Sequence, residues 1–208
     1  MGSRSRGPKS ATEVMAEKER RMRDDSAYRA DVEQVEAERA AQVAAARAAE
    51  RPVLEDLASA GIKLDTVWHL YKHPEWVRPA IPILLDHLAR DYPDRVLMGI
   101  GQGLDQKASR EWWGELRRLY LRTSRDIVRD RLAAAMSGCA RREHYEDLLA
   151  FLDDKRLGES RIYFVRAVNR IGNRMSPGRG RTAVESYASD PVLGQEASAV
   201  LLGRGRNS

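Results

Sequence analysis

Residues 81–104 read IPILLDHLARDYPDRVLMGIGQGL, and this stretch decides the fold. Its apolar residues recur every three to four positions on both sides of a break at Tyr92-Pro93, which is the spacing of amphipathic helices. Proline is common in turns and at the first turn of a helix, so the break marks a boundary. The stretch therefore predicts a helix, a turn and a second helix.

The same unit recurs towards the C-terminus. Four second helices can be laid over one another: DRVLMGIGQGL, RDIVRDRLAAAM, SRIYFVRAVNRIG and DPVLGQEASAVLLG. Their leading apolar residues are 31, 35 and 30 residues apart, at Val96, Ile127, Ile162 and Val192. A period of this size is the length of one helix-turn-helix repeat. The predicted first helices span 76–90, 110–122, 144–154 and 181–189, and the second helices span 95–104, 124–136, 159–172 and 191–202.

No segment shows the sustained alternation of a β-strand, so the fold class is predicted to be all-α. One repeat is too small to bury its apolar stripe alone, and stacked repeats share an elongated core. The leucines predicted to form this core are Leu84, Leu85, Leu88, Leu116, Leu119, Leu148, Leu149 and Leu152.

Residues 81–202 resemble the HEAT-repeat proteins of bacteria, and an uncharacterised subgroup of them in particular. The resemblance is carried by the opening stretch, by the turn DKRLGESR at Asp154–Arg161 and by the closing DPVLGQEASAVL. It implies an α-solenoid of antiparallel helix pairs whose second helices line the concave face, and a scaffold or adaptor without enzymatic activity. Gly99, Gly101 and Gly103 depart from the pattern, because such repeats usually carry alanine and charged residues there.

A charged segment rich in alanine precedes the repeats. Residues 11–51 contain no Gly or Pro and consist mostly of strong helix formers. They predict one long helix, or two helices joined near residues 24–26. The apolar seam is too sparse for a confident coiled coil, which favours a solvent-facing helix docked on the repeats over a dedicated partner helix. Pro52 is expected to end this segment, so that the repeat domain spans 52–203. The tails 1–10 and 204–208 are predicted to be disordered.

Composition narrows the class of protein. The chain has 208 residues, of which 42% are hydrophobic, enough for a core. It lacks an apolar run of membrane-spanning length, so no membrane association is expected. A single cysteine favours a reducing, cytoplasmic setting. The net charge of +5 is modest and partly placed in the tails, which makes it a weak argument for nucleic acid.

Two strings resemble ligand-binding motifs but lack required residues. GIGQG at Gly99–Gly103 has neither the spacing of a dinucleotide fingerprint nor the Lys-Ser/Thr of a phosphate-binding loop, which favours close helix packing. His69 and His73 are one helical turn apart, but Leu70 stands where a zinc protease needs its glutamate. No metal or cofactor is predicted.

Cys139 precedes Arg141 and Arg142, whose charges would lower the pKa of its thiol. A nucleophile also needs a base and an orienting group, and the sequence does not place His144 in that role. An unreactive cysteine is the favoured interpretation, and the chain is predicted not to be an enzyme.

The residues predicted to bind a partner form a basic stripe. Arg166, Arg170 and Arg174 recur every four residues on the third second helix, with Asn169 and Asn173 beside them. The repeat alignment places Arg131 level with Arg166, and Arg129 lies nearby. If second helices line a concave face, these guanidinium groups suit carboxylates or phosphates. A solvated face partly neutralised by Glu196 and Asp130 explains the stripe equally well.

Tryptophans add one further candidate. Trp112 and Trp113 point about 100° apart on a helix, so one can enter the core while the other lies near the surface. Exposed aromatic residues often anchor partners, and Trp113 is included in the predicted site, although packing between repeats is the commoner outcome.

The predicted function is that of a scaffold binding a protein partner, with an acidic segment, through the Arg-lined face. A regulatory protein or an immunity protein against a toxin is one version of this role. The alternative is a nucleic-acid-binding protein that holds a phosphate backbone in the same groove. The sequence does not determine the oligomeric state.

Overall fold

The computed structural model describes residues 10–203, and the regular secondary structure in this range is entirely helical, with no β-strand. The fold class predicted from the periodicity, all-α, is therefore confirmed. The helices are α1 (Ala11–Asp24), α2 (Ser26–Ser59), α3 (Pro74–Leu88), α4 (Asp94–Leu104), α5 (Trp113–Arg122), α6 (Asp126–Cys139), α7 (Tyr145–Asp153), α8 (Ile162–Met175), α9 (Arg179–Glu185) and α10 (Gly194–Leu201). Short 3-10 segments lie at Val67–Lys72, Lys107–Trp112, Arg142–His144 and Lys155–Arg161. The tails predicted to be disordered lie outside the described residues, except for Ser10.

The chain divides into two compact units, one ending at Ala48 and the other beginning at Ala49. In the first unit, Ser10 caps α1: its Oγ accepts the N–H of Glu13 at 3.3 Å, and the Glu13 carboxylate accepts the N–H of Ser10 at 2.8 Å. The helix breaks at Asp25, and Arg29 donates to the Met22 carbonyl at 2.6 Å, near the C-terminus of α1. Of the two predicted alternatives, two joined helices are therefore confirmed.

The predicted helix end at Pro52 is wrong, because α2 continues to Ser59. A proline inside a helix leaves the carbonyl four residues earlier without its usual donor. Here that carbonyl belongs to Ala48, and both Ala48 and Pro52 are exposed, so water can satisfy it. The turn that follows carries Val53 and Leu57, both fully buried, and this burial offsets the cost of the proline.

The second unit consists of helix pairs. α3 packs on α4, α5 on α6, and α7 on α8, and the second members also pack on each other, α4 on α6 and α6 on α8. α10 packs on α8 and on α9. The eight helices predicted from the repeat are all present, and their ends lie within about four residues of the expected positions.

The apolar core follows the same order. Of the predicted core leucines, Leu84, Leu85, Leu88, Leu116, Leu148 and Leu152 are buried, and Leu119 and Leu149 pack against them half-buried. Three aromatic rings continue the core from α5 to α7 and α8: Tyr120, Phe151 and Phe164, whose ring centres are 5.2–5.4 Å apart. Such edge-to-face and tilted contacts add to the burial of the rings.

The three glycines of GIGQG explain why α4 has neighbours on several sides. A Cβ on Gly99 would lie 2.9 Å from Trp68 Nε1, and one on Gly103 would lie 2.7 Å from Leu84 Cδ1. A Cβ on Gly101 would overlap the Cβ and Cγ of Arg131 on α6. Each glycine therefore admits a different neighbour, and close packing, the favoured interpretation of this string, is confirmed.

Candidate partner-binding site

The predicted basic stripe lies on α6 and α8. Val165 and Val168 of α8 are fully buried, whereas Arg170 and Arg174 are exposed and Arg166 is half-buried. Arg166 contacts Glu196 of α10 and Arg170 contacts Ser137 of α6. Since α6 and α10 both pack on α8, these two side chains run along the layer of second helices.

The two arginines of α6 are half-buried, and Arg129 is held by polar groups of the same chain. Arg129 donates to Asp126 Oδ1 at 2.9 Å and to the carbonyl of Thr123, and its side chain is 18% exposed. The Arg131 stem packs on Gly101. Burial raises the pKa of Asp105, and the nearby Arg131 charge opposes that rise. Arg129 is therefore paired, whereas Arg131 forms no ion pair within residues 10–203, and its buried Nε has no hydrogen-bond partner there.

Arg166 is paired as well. Its Nε donates to Glu196 Oε1 at 2.5 Å, and the Glu196 side chain is only 12% exposed. This pair links α8 to α10. The neutralised interpretation of the stripe therefore applies to Arg129 and Arg166, although Arg129 is paired with Asp126 and not with the expected Asp130.

Arg170 and Arg174 differ from Arg129 and Arg166. Arg170 Nη2 donates to the carbonyl of Ser137 at 3.0 Å, in the last turn of α6, where carbonyls lack helical partners. Burial and the charge of Arg174 lower the pKa of Arg170, but a guanidinium stays charged at neutral pH. Within residues 10–203, neither side chain lies in an ion pair with a carboxylate.

Two further exposed arginines, which the predicted site omitted, lie in the segment after α6. Arg141 and Arg142 directly follow α6, both are exposed, and the 3-10 segment that begins at Arg142 packs on α8. Neither forms an ion pair in the described part of the chain. Glu143 adjoins them and offsets one charge. We refer to Arg141, Arg142, Arg170 and Arg174 as the basic edge.

The sequence did contain a signal for the basic edge. Arg141 and Arg142 were considered only for their effect on Cys139. The repeat alignment, however, already placed the second helices that carry Arg131 and Arg166 next to each other. From that alignment alone, residues just beyond the end of the first of these helices could have been placed near the second helix.

The two asparagines of the predicted site hold α9 in place. Asn173 Oδ1 accepts the backbone N–H of Gly180 at 3.0 Å and of Arg181 at 3.3 Å, in the first turn of α9. Its amide donates to Asn169 Oδ1 at 3.0 Å. These contacts satisfy helix-terminal N–H groups, so both side chains have a structural role.

The prediction that Trp113 is a surface anchor is wrong, because its side chain lies in the core and is only 9% exposed. Its Nε1–H donates to Asp147 Oδ2 at 2.7 Å, and its ring stacks on His144 with centres 3.9 Å apart. Both partners come from the segment at and after the 3-10 turn before α7. Trp113 therefore joins α5 to α7. This is packing between repeats, which was given above as the commoner outcome for these tryptophans.

Cys139 is buried, and its surroundings oppose the reactivity that two neighbouring arginines suggested. Burial, with the charge of Asp105, raises the pKa of the thiol to about 12. The expected lowering by Arg141 and Arg142 is wrong, because both side chains are exposed to solvent while the sulfur lies inside. At neutral pH the residue is a protonated thiol.

His69 and His73 lie in different surroundings. His69 lies in the 3-10 segment before α3, and His73 stacks on Trp76 with ring centres 4.2 Å apart. Between residues 10 and 203, no three histidine, cysteine or acidic side chains are arranged to hold a metal ion. None of the helices in this range is both long and apolar enough to cross a membrane.

Comparison with protein-family models, with curated proteins and with solved structures found no match.

Proposed function

We propose that this protein is a non-catalytic scaffold or adaptor that binds an acidic segment of a protein partner at its basic edge. The observation that carries the proposal is the contrast along the stripe. Arg129 and Arg166 are paired with carboxylates of the same chain. The four arginines of the basic edge are exposed, and none of them is paired with a carboxylate within residues 10–203.

The proposed architecture is a HEAT-like α-solenoid. It is supported by the serial packing of α4, α6, α8 and α10, which places one second helix beside the next. In such a stack each repeat contacts its neighbours, and the second helices form one continuous surface. The basic edge belongs to that surface because Arg170 reaches from α8 to the end of α6.

The chemistry of the basic edge favours carboxylates on a short segment. Guanidinium groups bind carboxylates through paired N–H donors. Arg170 and Arg174 are one helical turn apart, about 6 Å along the axis of α8, so a few acidic residues span them. An adaptor, a regulatory protein and an immunity protein against a toxin would all use such a surface.

Nucleic-acid binding is the second candidate, since exposed arginines also pair with phosphates. A duplex backbone needs cations distributed along a groove, and each neutralised phosphate adds to the salt dependence of binding. Arg129 and Arg166 would extend the basic edge into such a groove, but they are paired with Asp126 and Glu196. This favours the protein partner.

The proposal can be tested with a fluorescein-labelled peptide of ten glutamates and a labelled mixed-sequence DNA duplex of 20 base pairs as probes. We expect Arg170→Glu with Arg174→Glu to weaken peptide binding by about tenfold or more, because two charge-assisted contacts are reversed. Fluorescence anisotropy measures both affinities.

A matched control reverses the same amount of charge elsewhere. Arg95 and Arg122 are exposed, have no ion pair within residues 10–203, and lie at the start of α4 and the end of α5. Arg95→Glu with Arg122→Glu should leave peptide binding within about twofold, as expected of distant exposed charges. Equal losses in both variants would contradict the basic edge. Tighter binding of the duplex, lost steeply with salt, would favour nucleic acid.

A further inference from the structure

Residues 26–48 of α2 form a helix in which no side chain is buried. Val35 and Val43 are 46% and 45% exposed, so both present apolar surface to solvent. A helix gains most of its stability in proteins by packing an apolar face on something else. This segment therefore has an apolar face that its own unit leaves uncovered.

The apolar side chains share one face. At 100° per residue, Val32, Val35, Arg39, Val43 and Ala46 fall within an arc of about 80°. Small and β-branched side chains on such a narrow face allow a second helix to approach closely. The aliphatic stem of Arg39 continues the face between the two pairs of apolar residues.

The charges of the same segment are divided by sign. Residues 26–38 contain Asp31, Glu33, Glu36 and Glu38 against Arg29, which gives a net charge of −3. Residues 39–48 contain Arg39 and Arg47 and no acidic residue, which gives +2. A parallel copy would place like charges side by side, whereas an antiparallel copy places opposite charges together.

We infer that residues 26–48 pair antiparallel with the same segment of a second copy of this chain. A two-fold axis at Arg39 places Val35 opposite Val43, Val32 opposite Ala46, and Asp31 opposite Arg47. The two Arg39 groups meet at the axis, where Glu36 and Glu38 of both copies supply counter-charges. Flanking charges of this kind set the orientation of paired helices. This dimer involves no residue of the basic edge and does not depend on the proposed function.

Sedimentation velocity on the full chain tests the dimer over a concentration series. We expect the mass to rise from the 23.5 kDa of one chain to twice that value. Val35→Glu should move the midpoint of this transition to at least tenfold higher concentration. Ala37→Glu adds the same charge on the opposite face of the helix and should shift the midpoint by less than about twofold. Far-UV circular dichroism checks that both variants keep their helix.

Reversing the charges tests the orientation. Asp31→Arg alone and Arg47→Asp alone should each weaken the dimer, because each places like charges opposite one another. The double variant Asp31→Arg with Arg47→Asp should restore it to within about threefold of the wild type. A single-chain mass at every concentration would overturn the inference, and so would a double variant that is weaker than either single variant.

Discussion

Arg161 shows how a charged side chain is held inside the body. It is 3% exposed and donates to the carbonyls of Leu152 at 2.8 Å and Gly158 at 3.0 Å, with the Asp190 carboxylate 3.4 Å away. The turn that presents the Gly158 carbonyl needs a left-handed residue, and Gly158 has φ of +62°. A buried guanidinium is tolerated because several acceptors surround it.

The Asp190 carboxylate makes stability depend on pH. The backbone N–H groups of Leu193 and Val192, together with Arg161, hold its pKa below the usual value. Such a group stabilises the fold above its unfolded pKa, near 4, and this contribution is lost as the pH falls through the lower folded pKa. Asp190→Asn should therefore lower the free energy of unfolding at pH 7 by about 2 kcal/mol.

Urea denaturation at pH 7 and pH 3 measures the effect. The wild type should lose more stability than Asp190→Asn between the two pH values, because the variant has no carboxylate to protonate. Equal losses in the two proteins would show that Asp190 does not contribute to acid sensitivity.

The thiol of Cys139 should be unreactive in the folded protein. Its pKa is raised to about 12 by burial, and only the thiolate form attacks a thiol reagent. With Ellman's reagent at pH 8 we expect negligible release of the coloured product from the native protein and one equivalent per chain in denaturant. Rapid stoichiometric reaction of the native protein would contradict this.

The sequence predicted single residues of the site only in part. The four-residue spacing correctly placed Arg166, Arg170 and Arg174 on one side of α8, away from the buried valines. It could not distinguish Arg166, which is paired across helices with Glu196, from Arg170 and Arg174. Asn173 was chosen as a neighbour of the arginines, and its bonds to α9 depend on a chain reversal that periodicity does not encode.

At the scale of helices, Gly101 gives the clearest prediction. Gly101→Ala should destabilise the protein by about 1–3 kcal/mol, because the new methyl would overlap the Cβ and Cγ of Arg131, which are fixed to the backbone of α6. Gly114→Ala is the control: α5 leaves open space there, and the change should be neutral or stabilise by up to about 1 kcal/mol. Thermal denaturation measures the stability of both variants. Equal stability of Gly101→Ala and Gly114→Ala would contradict the close approach of α4 and α6.

The helices were predicted well because their signal is local. An apolar stripe every three to four residues, interrupted by turn residues, located all eight repeat helices. The end of α2 was missed because the cost of Pro52 is offset by the burial of Val53 and Leu57, which depends on the tertiary structure. The 3-10 segments were missed since their periodicity is weak over so few residues.

For the whole molecule, the division at Ala48 predicts that the second unit folds without the first. No residue from 11 to 48 is buried. Deleting residues 1–48 should therefore change the melting temperature of the remaining chain by no more than about 2 °C, measured by circular dichroism in dilute solution. A fall of 10 °C would show that the first segment stabilises the rest.

The serial packing of α4, α6, α8 and α10 has a consequence for how the body opens. α6 is covered by α4, α5 and α8, whereas α10 packs on α8 and α9. Local unfolding that exposes backbone amides should begin at the C-terminal helices and reach α6 last. Deuterium uptake would then be slowest in α6, the helix whose Ser137 carbonyl accepts a hydrogen bond from Arg170.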